Sequence, residues 1–220
     1  MKMRFGFWKR NGKKKRLGQS LVEFAILLPL VLLMLSGLIE FGIMLNYYLD
    51  VIDAAREAAR FAADADPIRD TNGNYIDPNP QFYTLVQTLA KQSLKAGTDN
   101  RIDWLPPHDN CATDIHGDIV ISAFGVMQNG GSPIVSGRFP SGSPLGLSLC
   151  GHNTSKFTSA QIQAKLDPAA PTTGLVLVEI FYDYQQTLAL PWITAFVPNP
   201  IHLHAYSIMP NANVEPTPTP

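Results

Sequence analysis

The longest apolar stretch of the chain runs from Phe24 to Leu49, and Glu40 is the only charged residue within it. As an α-helix this stretch would rise about 39 Å, which exceeds the roughly 30 Å hydrocarbon core of a bilayer. Pro29 lies inside the stretch, where lipid-embedded helices tolerate proline. The pattern therefore predicts a membrane-spanning helix whose membrane part covers about residues 21–45.

The helical pattern continues past the apolar stretch to about Ala63. Small apolar residues recur there on one helical face, and charged residues occupy much of the remaining surface. This face consists of Val51, Ala54, Ala55, Ala58 and Ala62. It could pack closely on the domain that follows or on a neighbouring subunit. We therefore predict one long helix over residues 19–63 that leaves the membrane and continues into an external part, with Tyr47 and Tyr48 at the membrane–water interface.

The rest of the chain predicts a mixed domain over residues 64–210. An amphipathic helix is expected from Asn79 or Pro80 to Ala96, and its buried stripe comprises Phe82, Leu85, Val86 and Leu89. Alternating apolar positions predict strands over residues 118–126, 175–184 and 201–208. We expect an α+β fold in which an antiparallel sheet packs on the emerging helix.

The segments between these strands are predicted to be less regular. Met127–Ser148 is rich in Gly, Ser and Pro, which is typical of a long loop, and a short helix is expected over 159–166. Residues 211–220 lack apolar periodicity and end in Pro-Thr repeats, which predicts a disordered or polyproline tail.

Charge is distributed unevenly along the chain. The basic residues Lys2, Arg4, Lys9, Arg10, Lys13, Lys14, Lys15 and Arg16 precede the apolar stretch without any acidic residue among them. The positive-inside rule places this end in the cytoplasm and the folded domain on the extracytoplasmic side of a single-pass protein. A basic run can also bind nucleic acid, but directly before a membrane span we expect lipid and no nucleic acid as the partner.

Glu23 is an unusual residue for the start of a membrane segment, because a carboxylate there is costly unless it pairs, protonates or reaches the headgroups. A position at headgroup level is one explanation. The second depends on the preceding residues, since the basic leader ends near Gly18. A peptidase cutting after Gly18 would leave Gln19 with a free ammonium, and Glu23 would lie roughly one helical turn further in. In an assembly of parallel helices, Glu23 could then neutralise a neighbour's new N-terminus and fix its axial register.

Gly18, Glu23 and Phe24, the apolar run with Pro29 and the Ala- and Arg-rich segment 53–63 together resemble the TadE/TadG-like pseudopilins of Flp/Tad pilus systems, in the type IV pilin superfamily. The resemblance implies a pilin-like fold and assembly through the N-terminal helix with other pilin-like subunits. The chain would then be a minor pilin taking part in Tad/Flp-type pilus assembly, with Glu23 and Phe24 aligning it on a neighbouring helix.

The same resemblance implies that a prepilin peptidase cleaves between Gly18 and Gln19, which removes residues 1–18 as a leader. Gln19 departs from the small residues often found just after such a site. An alternative function is an unprocessed, single-pass membrane-anchored module that binds its ligand outside the cell.

The two cysteines, Cys111 and Cys150, both lie in the expected extracytoplasmic part. One disulfide closing a loop of about 40 residues is the expected arrangement there, and two free thiols are the alternative.

A polar loop provides the weak candidates for a metal ligand. Asp70, Asn72, Asn74 and Asp77 place oxygen-bearing side chains around a glycine, but the segment fails the EF-hand template and an Asn-Gly turn explains it. We expect no bound metal and no cofactor.

The sequence offers no positive case for an enzyme, because it lacks GxSxG, HExxH, Walker A and dinucleotide-binding patterns. His202 and His204 would lie on one side of a strand, where a metal or only solvent could face them. Glu179 and Asp183 would share one face of another strand, and a position at the sheet edge would account for both acids.

Overall fold

The computed structural model of the protein describes residues 17–113, 116–143, 145–168 and 173–214. Most of the predicted leader and the last six residues of the predicted tail lie outside these ranges. In chain order the elements are α1 (Leu17–Asp64), α2 (Pro80–Gly97), β1 (Gly117–Asn129), β2 (Ser132–Phe139), β3 (Leu147–Ser148), α3 (Ser159–Gln163), β4 (Gly174–Tyr184), α4 (Pro191–Thr194) and β5 (Ile201–Asn211).

Helix α1 has 48 residues, contains Pro29 and would rise about 72 Å. Its part from Ser20 onwards is, among the described residues, the one helix long and apolar enough to cross a membrane. The two halves of α1 differ in burial. The first half is exposed, whereas from Glu40 onwards buried positions recur with helical periodicity and face the domain.

The described strands form one antiparallel sheet in the order β2-β1-β4-β5, and the short β3 also pairs with β1. Ile180 of β4 lies opposite Ile119 of β1 on one side and Ala205 of β5 on the other. The predicted α+β class, a long apolar helix followed by a domain with an antiparallel sheet, is therefore confirmed.

The main core lies between the second half of α1, helix α2 and one face of the sheet. One face of α1, which we call the alanine face, lines this core. It comprises Ala54, Ala55, Ala58, Ala59 and Ala62, which are 0–1% exposed. Small side chains let the helix axis approach the sheet closely. Two partners were considered for this face, the domain that follows and a neighbouring subunit. In the structure the face packs on the chain's own domain.

Helix α2 begins where the Asn79 side chain accepts hydrogen bonds from the backbone N–H groups of Gln81 and Phe82, with Pro80 at the first helical position. The prediction that Leu85 is buried is wrong, since its side chain is 47% exposed. Tyr83 takes the place of Leu85 in the core because the buried stripe is rotated slightly around the helix.

The prediction of a long loop over residues 127–148 is wrong. This segment contains the end of β1, all of β2 and β3. Asn129 pairs with Ser132 across Gly130 and Gly131, both of which have positive φ (61° and 89°), so the glycines form a tight hairpin turn. The β2 strand lies at a sheet edge, where it needs few apolar residues, and its composition therefore resembled that of a loop.

The tail was predicted to begin at residue 211, but the folded domain extends further along the chain. Asn211 is the last residue of β5 and is fully buried, and Val214 is 1% exposed in a small cluster with Ile68 and Phe139. The Asn211 side-chain amide donates hydrogen bonds to the carbonyls of Ala62 and Ala65 at 2.7 and 2.8 Å. The amide therefore caps the end of α1, where carbonyls lack helical partners.

Candidate functional site

The first half of α1 extends from the domain as a projecting segment, residues 20–39. Its side chains are exposed apart from Ser36 and Gly37, which are half-buried. Leu21, Ile26 and Met34 are 68–71% exposed. An apolar surface of this length requires a cover of lipid or of other protein helices.

The predicted processing and assembly residues lie at the start of this segment. The described helix begins at Leu17, so the peptide bond between Gly18 and Gln19 is in its first turn. Glu23 follows Gly18 at a helical rise of about 7.5 Å. Glu23 is exposed and Phe24 is 63% exposed, so a neighbouring helix could contact both of them. Cleavage after Gly18 and the register role of Glu23 stay predictions.

Glu40 connects the projecting segment to the domain. Its side chain is 5% exposed and its two carboxylate oxygens accept three hydrogen bonds. Oε1 accepts from the Tyr184 hydroxyl at 2.6 Å and from Thr187 N at 2.8 Å, and Oε2 accepts from Leu188 N at 2.7 Å. We call these four residues the junction.

The junction fixes the height and the rotation of the domain on α1. Tyr184 ends β4, and Thr187 and Leu188 belong to the segment that follows it, so one helical carboxylate holds the end of a central strand and the next loop. Hydrogen bonds to an ionised carboxylate are stronger than neutral ones. Burial raises the pKa of Tyr184, and so does its hydrogen bond to Glu40.

Sequence reasoning assigned no role to Glu40. The available signal was its position as the single charge in an otherwise apolar stretch, since such a carboxylate must find donors. The donors themselves lie more than 140 positions away along the chain, and only the fold brings them to Glu40.

Next to the junction, the chain from Leu188 to Val197 returns along the projecting segment. We call these ten residues, LALPWITAFV, the apolar loop. The indole N–H of Trp192 donates to the Ser36 hydroxyl at 3.1 Å. Trp192 also closes an apolar cleft of about 310 Å³ with Leu28, Pro29, Leu32 and Leu33 of α1. Tyr47 stacks on Tyr182 of the domain, and its expected position at the membrane–water interface stays a prediction.

Cys111 and Cys150 form a disulfide in the structure, with 5.2 Å between their Cα atoms. Asp118, which is fully buried, organises the same region. Its carboxylate accepts hydrogen bonds from Cys150 N at 3.0 Å, Asn153 N at 2.7 Å and the Ser148 hydroxyl at 2.5 Å. Disulfide and carboxylate together hold the segment after β3 against β1.

The weak metal candidates divide into two groups. Asp70 accepts hydrogen bonds from Asn72 N and Asn74 N at 2.9 and 2.8 Å and from the Asn74 side chain at 3.0 Å. These bonds, the Asn74 side chain's first, lower the pKa of Asp70. Asp77 is used elsewhere and accepts from Ser141 N at 2.9 Å. The arrangement is that of a turn closed by its own side chains.

The two strand histidines each face a carboxylate on the neighbouring strand. His202 Nδ1 lies 2.5 Å from Asp183 Oδ1, and His204 Nε2 lies 3.0 Å from Glu179 Oε1. Glu179 also accepts from Lys156 N at 2.9 Å and is fully buried. The expectation of an edge position for these acids is wrong, because β4 lies between β1 and β5. Within the described ranges no three His, Cys, Asp or Glu residues form a group that could hold a metal ion.

Comparison with known protein families relates α1 to one of them. The family model described as TadE-like protein matches residues 18–60. This range includes Gly18, Glu23 and Phe24 and lies entirely within α1, so the resemblance predicted from the sequence is confirmed for this helix. A search of curated proteins found no match, and neither did a search of solved structures.

Proposed function

We propose, from the TadE-like match of α1, that this chain is a minor pilin of a Tad/Flp-type pilus and joins the other subunits through its projecting segment. The observation that carries the proposal is the division of α1 into two halves. The domain buries the helix from Glu40 onwards, whereas residues 20–39 keep exposed apolar side chains and meet the domain mainly through Trp192. This is the geometry expected of a subunit that lies in a bilayer first and packs against other helices afterwards.

In this proposal a prepilin peptidase removes the basic leader after Gly18, and the chain begins at Gln19. The carboxylate of Glu23 then meets the terminal ammonium of a neighbouring subunit. A charge pair of this kind, away from water, selects one axial register because every other register leaves both charges unpaired. The domain would stay on the extracytoplasmic side. A domain of this size, much larger than the short major pilin expected in such systems, favours a minor role.

Two measurements test this proposal. The intact mass of the protein from its native membrane should correspond to a chain that begins at Gln19. In cells that lack the peptidase, the intact mass should correspond to a chain that begins at Met1. A Met1 start despite an active peptidase would contradict processing.

The second measurement follows pilus assembly in a Glu23→Ala variant. Assembly should fail while the domain stays folded, because Glu23 lies on the projecting segment, away from the core. Glu57→Ala is the matched control, since Glu57 is an exposed carboxylate on the same helix beyond the apolar part. Normal incorporation of the Glu23 variant would remove this residue from the mechanism.

The second candidate function is an unprocessed, membrane-anchored binding module. A polar cleft of about 440 Å³ in the domain favours it, with Arg101, Asp103, His108 and His116 among its lining side chains and Trp104 beside them. A chain that keeps its leader and binds a surface ligand through this cleft would support this function over pilus assembly.

A further inference from the structure

We propose that the apolar loop, residues 188–197, inserts into the bilayer leaflet on the domain's side, next to the projecting segment of α1. The loop would make the domain a membrane-contacting unit and set its distance and tilt relative to the bilayer. This inference rests on the membrane location that the proposed function assigns to α1.

The loop has the composition of a lipid-contacting segment. No charged residue occurs between Tyr184 and Ile201. Phe196 is 85% exposed, Trp192 44% and Val197 37%. Large apolar side chains clustered on one exposed loop are unfavourable in water, and Trp prefers the membrane–water interface.

Most of the loop's backbone N–H groups have partners, which favours a position in lipid, where an unpaired N–H group costs several kcal/mol. The N–H groups of residues 193–197 all donate to carbonyls within the loop, at 2.8–3.1 Å. Leu188 N donates to Glu40. Pro191 has no N–H group to satisfy.

The height of the loop along α1 fits an interfacial position. Glu23 and Glu40 are separated by a helical rise of about 26 Å, close to the thickness of a hydrocarbon core, so they fit its two boundaries. Trp192 donates to Ser36, about 6 Å inside the Glu40 boundary, so its indole N–H lies at interfacial depth. The apolar cleft that its ring closes extends further along α1, from Leu33 to Leu28, about 10–18 Å inside the boundary. Interfacial segments bury their apolar side chains to depths of about 5–10 Å.

The other possible cover for the loop is a second copy of the chain. The membrane is favoured because the loop is continuous with the surface of the span itself. Lipid that surrounds residues 28–36 of the span must therefore also meet Trp192. The loop also offers no charge that would orient a protein partner.

Fluorescent labelling of the full-length protein tests the proposal. A Phe196→Cys variant is labelled with the polarity-sensitive dye NBD and placed in phosphatidylcholine–phosphatidylglycerol vesicles, with or without lipids carrying a doxyl quencher near the headgroup. The native cysteines are joined in a disulfide and do not react. Phe196 is so exposed that its replacement should leave the fold intact.

Two matched label sites bracket this position. Val31→Cys, at a 56% exposed position, reports on the span. Leu85→Cys reports on an exposed apolar position of the domain. Helix α2 runs antiparallel to α1, because Gly97 lies beside Asp50 while Asn79 bonds to Asp66. Leu85 is therefore near the end of the domain away from the projecting segment.

In this experiment the Phe196 label should emit at shorter wavelength than the Leu85 label and lose most of its emission with the doxyl lipids. If the Phe196 and Leu85 labels had the same emission wavelength and the same quenching, the loop proposal would be overturned. A Val31 label that is buried in lipid in the same sample would still support the membrane location of α1. A blue-shifted but unquenched Phe196 label would mean that protein covers the loop, which also overturns it. A Val31 label exposed to water would instead contradict the membrane location in the proposed function.

Discussion

Replacing Glu40 with glutamine tests whether the junction holds the domain on α1. The change keeps the size of the side chain but replaces one acceptor oxygen with an NH₂ donor. In the better orientation the amide oxygen still accepts from Tyr184 and Thr187, whereas the NH₂ group faces the N–H of Leu188. One hydrogen bond is lost and the other two become neutral.

The structure allows an approximate magnitude. A hydrogen bond to a charged group contributes about 1.5–3 kcal/mol, and a neutral one about 0.5–1.5 kcal/mol. Glu40→Gln should therefore cost at least about 2 kcal/mol locally, which is roughly a 30-fold change in the opening equilibrium. Glu40→Ala removes all three hydrogen bonds and leaves the Tyr184 hydroxyl only its 3.3 Å contact with the Thr187 hydroxyl, so it should cost roughly 4–5 kcal/mol.

Amide hydrogen exchange of the full-length protein in lipid nanodiscs measures this opening. Peptides that contain Thr187 and Leu188 should exchange roughly 30-fold faster in Glu40→Gln than in the parent protein. Peptides from β1, in the centre of the sheet, should keep their exchange rate. Glu23→Gln is the matched control, because Glu23 is also a carboxylate of α1 but lies outside the junction.

Unchanged exchange at Thr187 and Leu188 in Glu40→Gln would refute the reasoning. It would show that packing alone holds the loop and that the three hydrogen bonds contribute little beyond those made to water. Faster exchange in every peptide would also refute a local role, since the whole domain would then depend on Glu40.

Three further predictions concern the domain itself. Asn211→Ala removes two hydrogen bonds that cap the end of α1, to the carbonyls of Ala62 and Ala65, and should lower stability by about 2 kcal/mol in chemical unfolding, whereas an unchanged midpoint would argue against the cap. A Cys111→Ser/Cys150→Ser variant should lose about 2–4 kcal/mol by the same assay, and reduction of the parent protein should reproduce that loss. Burial, with the neighbouring tyrosines, raises the pKa of Tyr182 to about 12. The unfolded chain therefore loses this proton first, so stability should fall as the pH rises from about 10 towards 12, and Tyr182→Phe should reduce that fall.

Local pattern was sufficient for the elements whose periodicity is strong. The apolar run up to Leu49 predicted a helix long enough to cross a membrane, and the alternation in residues 175–184 and 201–208 predicted two of the strands. Gly18, Glu23 and Phe24, the apolar run with Pro29 and the Ala- and Arg-rich segment 53–63 together carried the family resemblance. These features depend on residues that are close in sequence, so the chain displays them without its fold.

Edge elements and the chain end were predicted less well. The β2 strand was missed because an edge strand needs few apolar residues. Asn211 and Val214 were assigned to the tail because burial there depends on α1 and β1, not on neighbouring residues. The partner of the alanine face stayed open for the same reason, since small side chains permit close packing without specifying what packs.

The sequence by itself determined that the chain has a long apolar helix with a carboxylate at its start, a run of basic residues before it and an α+β domain after it. Only the tertiary structure decided what Glu40 does and where residues 188–197 lie. The three donors to Glu40 are far away in sequence, and the apolar loop has no periodicity that reveals its position beside Ser36. Hydrophobic patterning follows from local geometry, whereas the pairing of one carboxylate with distant donors exists only after the chain has folded.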